Sequence, residues 1–273
     1  MNHTVINIHN EYHLGDNVFN FILFYNIKKY IKKQNILINY FCNPFYIEQL
    51  QEFNSSKNII INSIENKPSN SIQLWIESPQ LYYTFTKVRE KIMKIRQNGR
   101  VFYNNFYINF FNYFLNNKLH MPIKIKRFYY KDKDLLDRYK KLDPKYKSIQ
   151  ILILNSQPMS GQYNYDKAEW DNYIQKINLI FNVATTTKVN ENILCTMDDN
   201  LTIKNIAAIS TKVKVIIAIN SGVVPGLLNK YTLMNVKKCY VFDDRCMYTY
   251  PNFYLKNKIH EISIDELNSI INP

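Results

Sequence analysis

The sequence predicts an α/β fold in two domains, and three observations carry that prediction. Short β-branched runs alternate with helical patterns from Val5 to Ile76, the spacing of parallel strands joined by crossover helices. A strongly charged stretch, Lys124 to Lys147, then interrupts the pattern. A buried strand restarts at Ile149 and opens a second alternating series. The boundary is placed at Asp143-Pro144-Lys145, giving domains of residues 1–145 and 146–273.

The stretch from Val5 to Tyr30 organises the first domain. Val5-Ile6-Asn7-Ile8 reads as a strand, His13 to Asn17 as a turn, and Val18 onward as a helix. Asp16 or Asn17 is the expected N-cap, and Lys28, Lys29, Lys32 and Lys33 suit the last turns. Gly15 allows a tight turn and a close ligand approach. A carboxylate at this place, Asp16, lies where open α/β sheets bind ligands; capping alone is the plainer account.

Further strands are expected at Asn35–Phe41, Asn58–Ile61 and Ile72–Ile76, with a helix from Pro44 to about Phe53. Between Tyr82 and His120, aromatic residues recur near helical spacing, among them Phe106, Tyr107, Phe110, Phe111 and Phe114. Core packing is the first reading of that face, and an acceptor or membrane surface the second. Asp132 and Asp134 form an Asp-x-Asp embedded in lysines, which reads as a helix start, not a metal site.

In the second domain Ile149–Leu154 is a buried strand, followed by a polar loop with Ser156, Ser160 and Gly161. A helix runs from Asp166 through Phe181, and short strands follow at 182–187 and 193–196. Leu201–Ser210 reads as a helix capped by Asn200 or Asp199, then come a strand Val213–Ile219, a short helix after Gly226, a strand Cys239–Phe242 and a terminal helix Asp265–Ile271. The turn Asn220-Ser221-Gly222 follows a core strand, so its amides, the Ser221 hydroxyl and a helix dipole suit an anion. Ser156, Ser160 and Gly161 offer a second phosphate loop, with Lys167 to neutralise charge.

Composition sets outer bounds. The 273 residues include only 5 glycines, and four of these (Gly15, Gly161, Gly222 and Gly226) fall in candidate ligand loops. The net charge of +13 suits an anionic partner: nucleic acid, an anionic membrane surface or a phosphorylated small molecule. No nucleic-acid motif occurs, so nucleic acid is not expected as a partner. Cys42, Cys195, Cys239 and Cys246 form no CxxC, so no metal site is expected. No apolar run reaches the length of a membrane span and no signal-peptide pattern opens the chain, so a cytoplasmic protein is the default expectation.

These residues resemble a known family. Gly15-Asp16 after the first strand, the loose Lys167-Ala168-Glu169-Trp170 helix start, and the helix Ile203–Ser210 with the strand and turn Ile216–Gly222 are together similar to GT-B-fold glycosyltransferases of the heptosyltransferase-like family 9. His13-Leu14-Gly15-Asp16 also resembles the His-x-Gly-Asp turn of fucosyltransferase-like GT-B enzymes, with Asn17 in place of their Arg. Asn220 stands where the heptosyltransferase-like family often has Asp, and Val223-Val224-Pro225 replaces its usual His.

The resemblance implies a GT-B-like fold, two Rossmann-like domains facing across a cleft, with the acceptor on the first and the nucleotide sugar on the second. It implies inverting, metal-independent sugar transfer to a glycan or lipid-linked acceptor, with no cofactor. Asp16 would be the general base, and His13 and Glu11 second acid/base candidates. Gly15, Ser156, Ser160, Gly161, Lys167, Asn220, Ser221 and Gly222 would contact the donor. The nucleobase would lie against Thr196-Met197-Asp198. A peripheral contact with an anionic membrane is a further expectation. A non-catalytic nucleotide-sugar or glycan-binding relative and a nucleic-acid-associated basic protein are the alternatives.

Overall fold

The structure, a computed structural model, describes residues 3–75, 103–159, 161, 163–244, 253–256 and 258–273. It divides into two compact units, Met1–Tyr130 and Lys131–Pro273.

The first unit is built on a four-stranded parallel sheet in the order β3-β2-β1-β4. Its strands are β1 (Thr4–Asn10), β2 (Ile36–Cys42), β3 (Ile59–Ser63) and β4 (Ile72–Gln73). Helix α1 (Leu14–Lys33) joins β1 to β2 and buries Val18, Ile22, Leu23 and Ile31 almost completely. Phe21 and Phe24 meet the Tyr40 ring edge-on at 5.2 and 5.5 Å, so α1 is keyed to the centre of β2. It ends at Asn35, which takes a left-handed φ of 51°. A 3-10 turn at Pro44–Tyr46, capped by the Asn43 side chain, leads into α2 (Ile47–Phe53).

Helix α3 (Tyr103–Asn117) carries the aromatic stretch read from the sequence, and from Tyr107 onward its aromatic face is core. Tyr107, Phe110, Phe111 and Phe114 are buried. Tyr107 stacks between Phe19 of α1 at 4.2 Å and Phe128 at 5.0 Å. The membrane reading of those residues is set aside on this packing. Ile76 and the start of the aromatic stretch before Tyr103 lie outside the described residues.

The second unit has six parallel strands in the order β10-β9-β8-β5-β6-β7. These are β5 (Ile151–Leu154), β6 (Val183–Thr185), β7 (Leu194–Cys195), β8 (Val215–Ile219), β9 (Lys238–Phe242) and β10 (Phe253–Lys256). Every residue of β5 and β8 is buried, which is why both read as unbroken apolar runs. Helices α4 (Asp134–Lys141), α5 (Lys167–Asn178), α6 (Ile203–Ser210), α7 (Lys230–Asn235) and α8 (Ile264–Ile271) complete it. Trp170, Ile174 and Ile177 of α5 and Leu267 of α8 form one cluster with Tyr240 and Phe242. Asp143 caps a 3-10 turn, Pro144–Ser148, within this unit. Asp132 pairs with the buried ammonium of Lys204, and Asp134 with Arg138 one turn along α4.

Three local expectations are corrected. The N-cap of α1 is His13, not Asp16 or Asn17, so Gly15 and Asp16 lie in the first helical turn. Thr202, not Asn200 or Asp199, caps α6, its hydroxyl accepting from the Asn205 amide. The segment after β8 is a four-residue 3-10 turn, Val224–Leu227, and only then the short helix α7. A turn of that length has little dipole to offer an anion. The edge strand β10 was not expected from the sequence.

Candidate functional site

In the first unit the candidate residues gather beyond the carboxyl end of β1. Asp16 is in the first turn of α1, where a carboxylate interacts favourably with the helix dipole. Its Oδ2 lies 3.7 Å from His13 Nδ1, and the two side chains are 28% and 52% exposed. Gly15 is buried inside the helix. Glu11, at the rim, accepts a hydrogen bond from Gln73.

A buried polar network holds this turn. Asn17 Nδ2 donates to the carbonyls of Tyr12 at 3.2 Å and His13 at 2.9 Å. Asn17 Oδ1 accepts from the Tyr40 hydroxyl at 2.7 Å, and that hydroxyl accepts from Asn20 at 2.9 Å. Asn20 and Asn10 both donate to the Leu74 carbonyl at 3.0 Å, and Asn10 Oδ1 accepts from the Tyr12 amide. Strand β2, strand β4 and helix α1 are thereby fastened under one loop. Burial pushes the Tyr40 phenol well above its ordinary value, with Asn20 acting the other way, so it stays a neutral donor. Beside it, Tyr12 stacks on Trp75 at 3.6 Å.

In the second unit the candidates follow the carboxyl ends of β5, β7 and β8. Asn155, fully buried, caps the start of the β5 loop. Its Oδ1 accepts from the amides of Thr186 and Thr187 at 3.1 and 2.9 Å, and its Nδ2 donates to the Thr187 carbonyl at 3.1 Å. The Ser156 and Thr186 hydroxyls are 2.9 Å apart. Gly161 has a left-handed φ of 61°, a conformation that favours glycine, and a side chain there would meet open space. Ser160 lies outside the described residues. Lys167 pairs with Asp171 one turn on, while Asp166 caps α5. The far side of the loop is tied to β9 by Asp244, which accepts from the Asn164 amide at 2.7 Å.

The turn after β7 is fixed from beneath. The Tyr146 hydroxyl donates to Asp199 at 2.6 Å and to the Cys195 carbonyl at 3.3 Å, and Lys145 pairs with Asp199 at 2.6 Å. The Lys145 and Tyr146 hydrogen bonds hold the Asp199 carboxyl below its ordinary value. Thr196 is buried and its amide bonds Thr185, whereas Met197 is 58% exposed. After β8, Asn220 is buried and donates to Asp243 Oδ2 at 2.7 Å. Ser221 is 7% exposed, and its hydroxyl is buried with no hydrogen-bond partner among the described residues. Gly222 follows it at the mouth of the 3-10 turn.

No family model and no curated protein matches the sequence. Solved structures do. The chain is similar to the E. coli heptosyltransferase WaaC with ADP-2-deoxy-2-fluoro heptose, at 8% identity over 98% of this chain and 99% of that one, with a TM-score of 0.57. WaaC with ADP aligns at 7% identity over 98% and 97%, with a TM-score of 0.51. TibC from enterotoxigenic E. coli, described as an iron-containing dodecameric glycosyltransferase, aligns at 10% identity over 94% of this chain and 63% of that one, with a TM-score of 0.53. The fold is the GT-B fold of the heptosyltransferases.

The described candidate residues lie in the segments that follow strands β1, β5, β7 and β8, with Gly15, Asp16 and Lys167 in the first turns of helices. Asn10, Asn20, Tyr40, Asn155, Tyr146 and Asp243 carry no recognisable signal in the sequence, and Asn17 reads there as a helix cap and not as part of this network. A run of asparagines in a chain rich in asparagine gives no local signal, because each of these is defined by a distant partner. Among the described residues no helix is long and apolar enough to cross a membrane, and no cluster of three metal-binding side chains occurs.

Proposed function

We propose that this protein is a glycosyltransferase that moves a sugar from a nucleotide-sugar donor to a hydroxyl of a glycan or lipid-linked acceptor, with inversion and without a metal ion. The observation that supports it most is Asp16, placed by a locked turn at the carboxyl edge of β1 in a chain with the heptosyltransferase fold. The solved neighbour WaaC is described with an ADP-heptose analogue, which favours a nucleotide sugar as the donor class.

The chemistry follows from the groups in place. The acceptor hydroxyl gives its proton to the Asp16 carboxylate as its oxygen bonds to the anomeric carbon. The bond from that carbon to the diphosphate breaks at the same time, and the nucleoside diphosphate leaves with the electron pair. His13 sits beside Asp16, its Nδ1 3.7 Å from Asp16 Oδ2, and is the second acid/base candidate. Loop groups of the second unit, with Ser156, Gly161 and Lys167 among them, stabilise the leaving diphosphate, and the Thr196–Met197 turn carries the nucleobase. The surplus of basic residues, +13, supports a peripheral contact with an anionic membrane where a lipid-linked acceptor is presented.

The first experiment is a thermal-shift screen against ADP, UDP, GDP and their sugar conjugates. A ligand at 100 times its dissociation constant adds about 2.7 kcal/mol of stability and raises Tm. No shift with any of them would refute a nucleotide-sugar enzyme. Added chelator leaves both the shift and any turnover unchanged; loss of turnover on chelation would refute metal independence. A binding-only relative is the second reading, favoured by Asn220 and by Val223-Val224-Pro225 where the family has Asp and His.

A further inference from the structure

At the start of α5 the lysine expected to meet phosphate is held by a carboxylate. The Lys167 ammonium donates to Asp171 Oδ2 one turn along the helix. The other oxygen, Asp171 Oδ1, is buried and has no hydrogen-bond partner among the described residues. The Tyr165 hydroxyl, just before the helix, is also buried and without a partner among them. The Tyr165 ring is set edge-on to the fully buried Trp170 at 5.9 Å. Burial first, then the charges of Asp171 and Asp166, push the Tyr165 phenol up to about 12, so it keeps its proton. A buried donor without an acceptor therefore stands within electrostatic reach of a buried acceptor without a donor. Buried polar groups are nearly always paired, so the arrangement points to a second state in which these two meet.

We propose that Asp171 and Tyr165 are positioning residues that control when Lys167 reaches the donor diphosphate. Asp171 holds the ammonium in the free protein, and the Tyr165 hydroxyl takes its place on Asp171 when the ammonium turns to phosphate. The inference rests on the nucleotide-sugar reading above, in which Lys167 faces the diphosphate. The pair is weak, because the Lys167 side chain is 57% exposed, so a diphosphate can draw the lysine away. Departure of the lysine alone would strand the Asp171 carboxylate, which is only 19% exposed and accepts hydrogen bonds without donating any. Tyr165 carries what the carboxylate then lacks, a donor. A ligand shifts such a balance only by what it gains in one state over the other. Removing the contact of the free state therefore raises diphosphate affinity, and removing the contact of the bound state lowers it.

Titration calorimetry with ADP, UDP and GDP tests this, using the diphosphate that binds the wild-type protein. Asp171→Asn should tighten it about threefold or more, because the competing charge is gone. Tyr165→Phe should weaken it about threefold or more and leave the Tm of the free protein unchanged, since the hydroxyl has no partner there among the described residues. A merely structural tyrosine would lower Tm and affinity together, and that result would overturn the proposal. Lys167→Ala should weaken the diphosphate and cancel the gain from Asp171→Asn; a gain that survives without the lysine would be a general effect of charge and would overturn it too. So would an Asp171→Asn protein with unchanged or weaker affinity, and this arm decides the matter if Tyr165→Phe does not fold. Unchanged affinity in Lys167→Ala would take the lysine off the phosphate and overturn this inference while the nucleotide-sugar reading stands. Failure of the wild-type protein to bind any nucleoside diphosphate or its sugar conjugate would overturn that reading, and this inference with it.

Discussion

Removing the Tyr40 hydroxyl should loosen the turn that carries Asp16 without touching Asp16 itself. In Tyr40→Phe two buried hydrogen bonds disappear, the one to Asn17 at 2.7 Å and the one from Asn20 at 2.9 Å. At about 0.5–1.5 kcal/mol net for each, the loss is about 1–3 kcal/mol. Asn17→Ala removes the bond from Tyr40 and both bonds to the Tyr12 and His13 carbonyls, so it should cost about 1.5–4.5 kcal/mol on the same scale. The two changes share a bond, so the double variant should fall short of the sum by at least about 0.5 kcal/mol. Urea unfolding followed by tyrosine fluorescence and circular dichroism gives the four free energies. Strict additivity would refute the network, and so would a silent Tyr40→Phe. Both single variants should also lower turnover, because the backbone that sets His13 and Asp16 loses its brace.

Two further outcomes follow from buried groups elsewhere. Burial, then the nearby Lys67, hold the His9 imidazole below its ordinary 6.5, with Glu11 a weaker opposing influence. Below about pH 6.5 the unfolded chain therefore takes up a proton that the folded state resists, so stability falls as pH drops through that window. His9→Gln should flatten this slope in urea unfolding between pH 7.5 and 5.5, and an unchanged slope would refute the assignment. Asn155→Ala takes the acceptor from the Thr187 amide, while the Thr186 amide keeps the Ile153 carbonyl, so it should cost about 1–3 kcal/mol and lower nucleotide affinity together. A neutral result in denaturation would show that the β5 loop does not depend on it.

The parts of this molecule legible in the sequence are those set by local pattern. Ile149 to Leu154 and Val213 to Ile219 announce buried parallel strands because both faces are covered, and the aromatic spacing of Tyr107, Phe110, Phe111 and Phe114 announces a core-facing helix. Residues with distant partners were misread. Asn17 has the chemistry of an N-cap, but its side chain is committed to Tyr40 on the next strand and to carbonyls before the helix. Asp199 likewise belongs to Tyr146 and Lys145, leaving Thr202 to cap α6. The glycines were informative at Gly161, where the backbone requires one, but Gly15 sits in ordinary helix. Asp243 carried no signal at all, since its meaning depends on Asn220 lying beside it across two strands.

The central claim, that Asp16 is the base of a sugar transfer, is tested most directly by the turnover of Asp16→Asn with a nucleotide sugar that the wild-type protein binds. Asp16 is in the first turn of α1 and not its cap, and asparagine keeps its size, so the substitution gives up a favourable charge near the helix N-terminus, about 0.3–1 kcal/mol, together with the charge beside His13. The fold and donor affinity should therefore persist while turnover falls by about two to four orders of magnitude. Turnover at the wild-type rate in a folded, donor-binding Asp16→Asn protein would contradict the account.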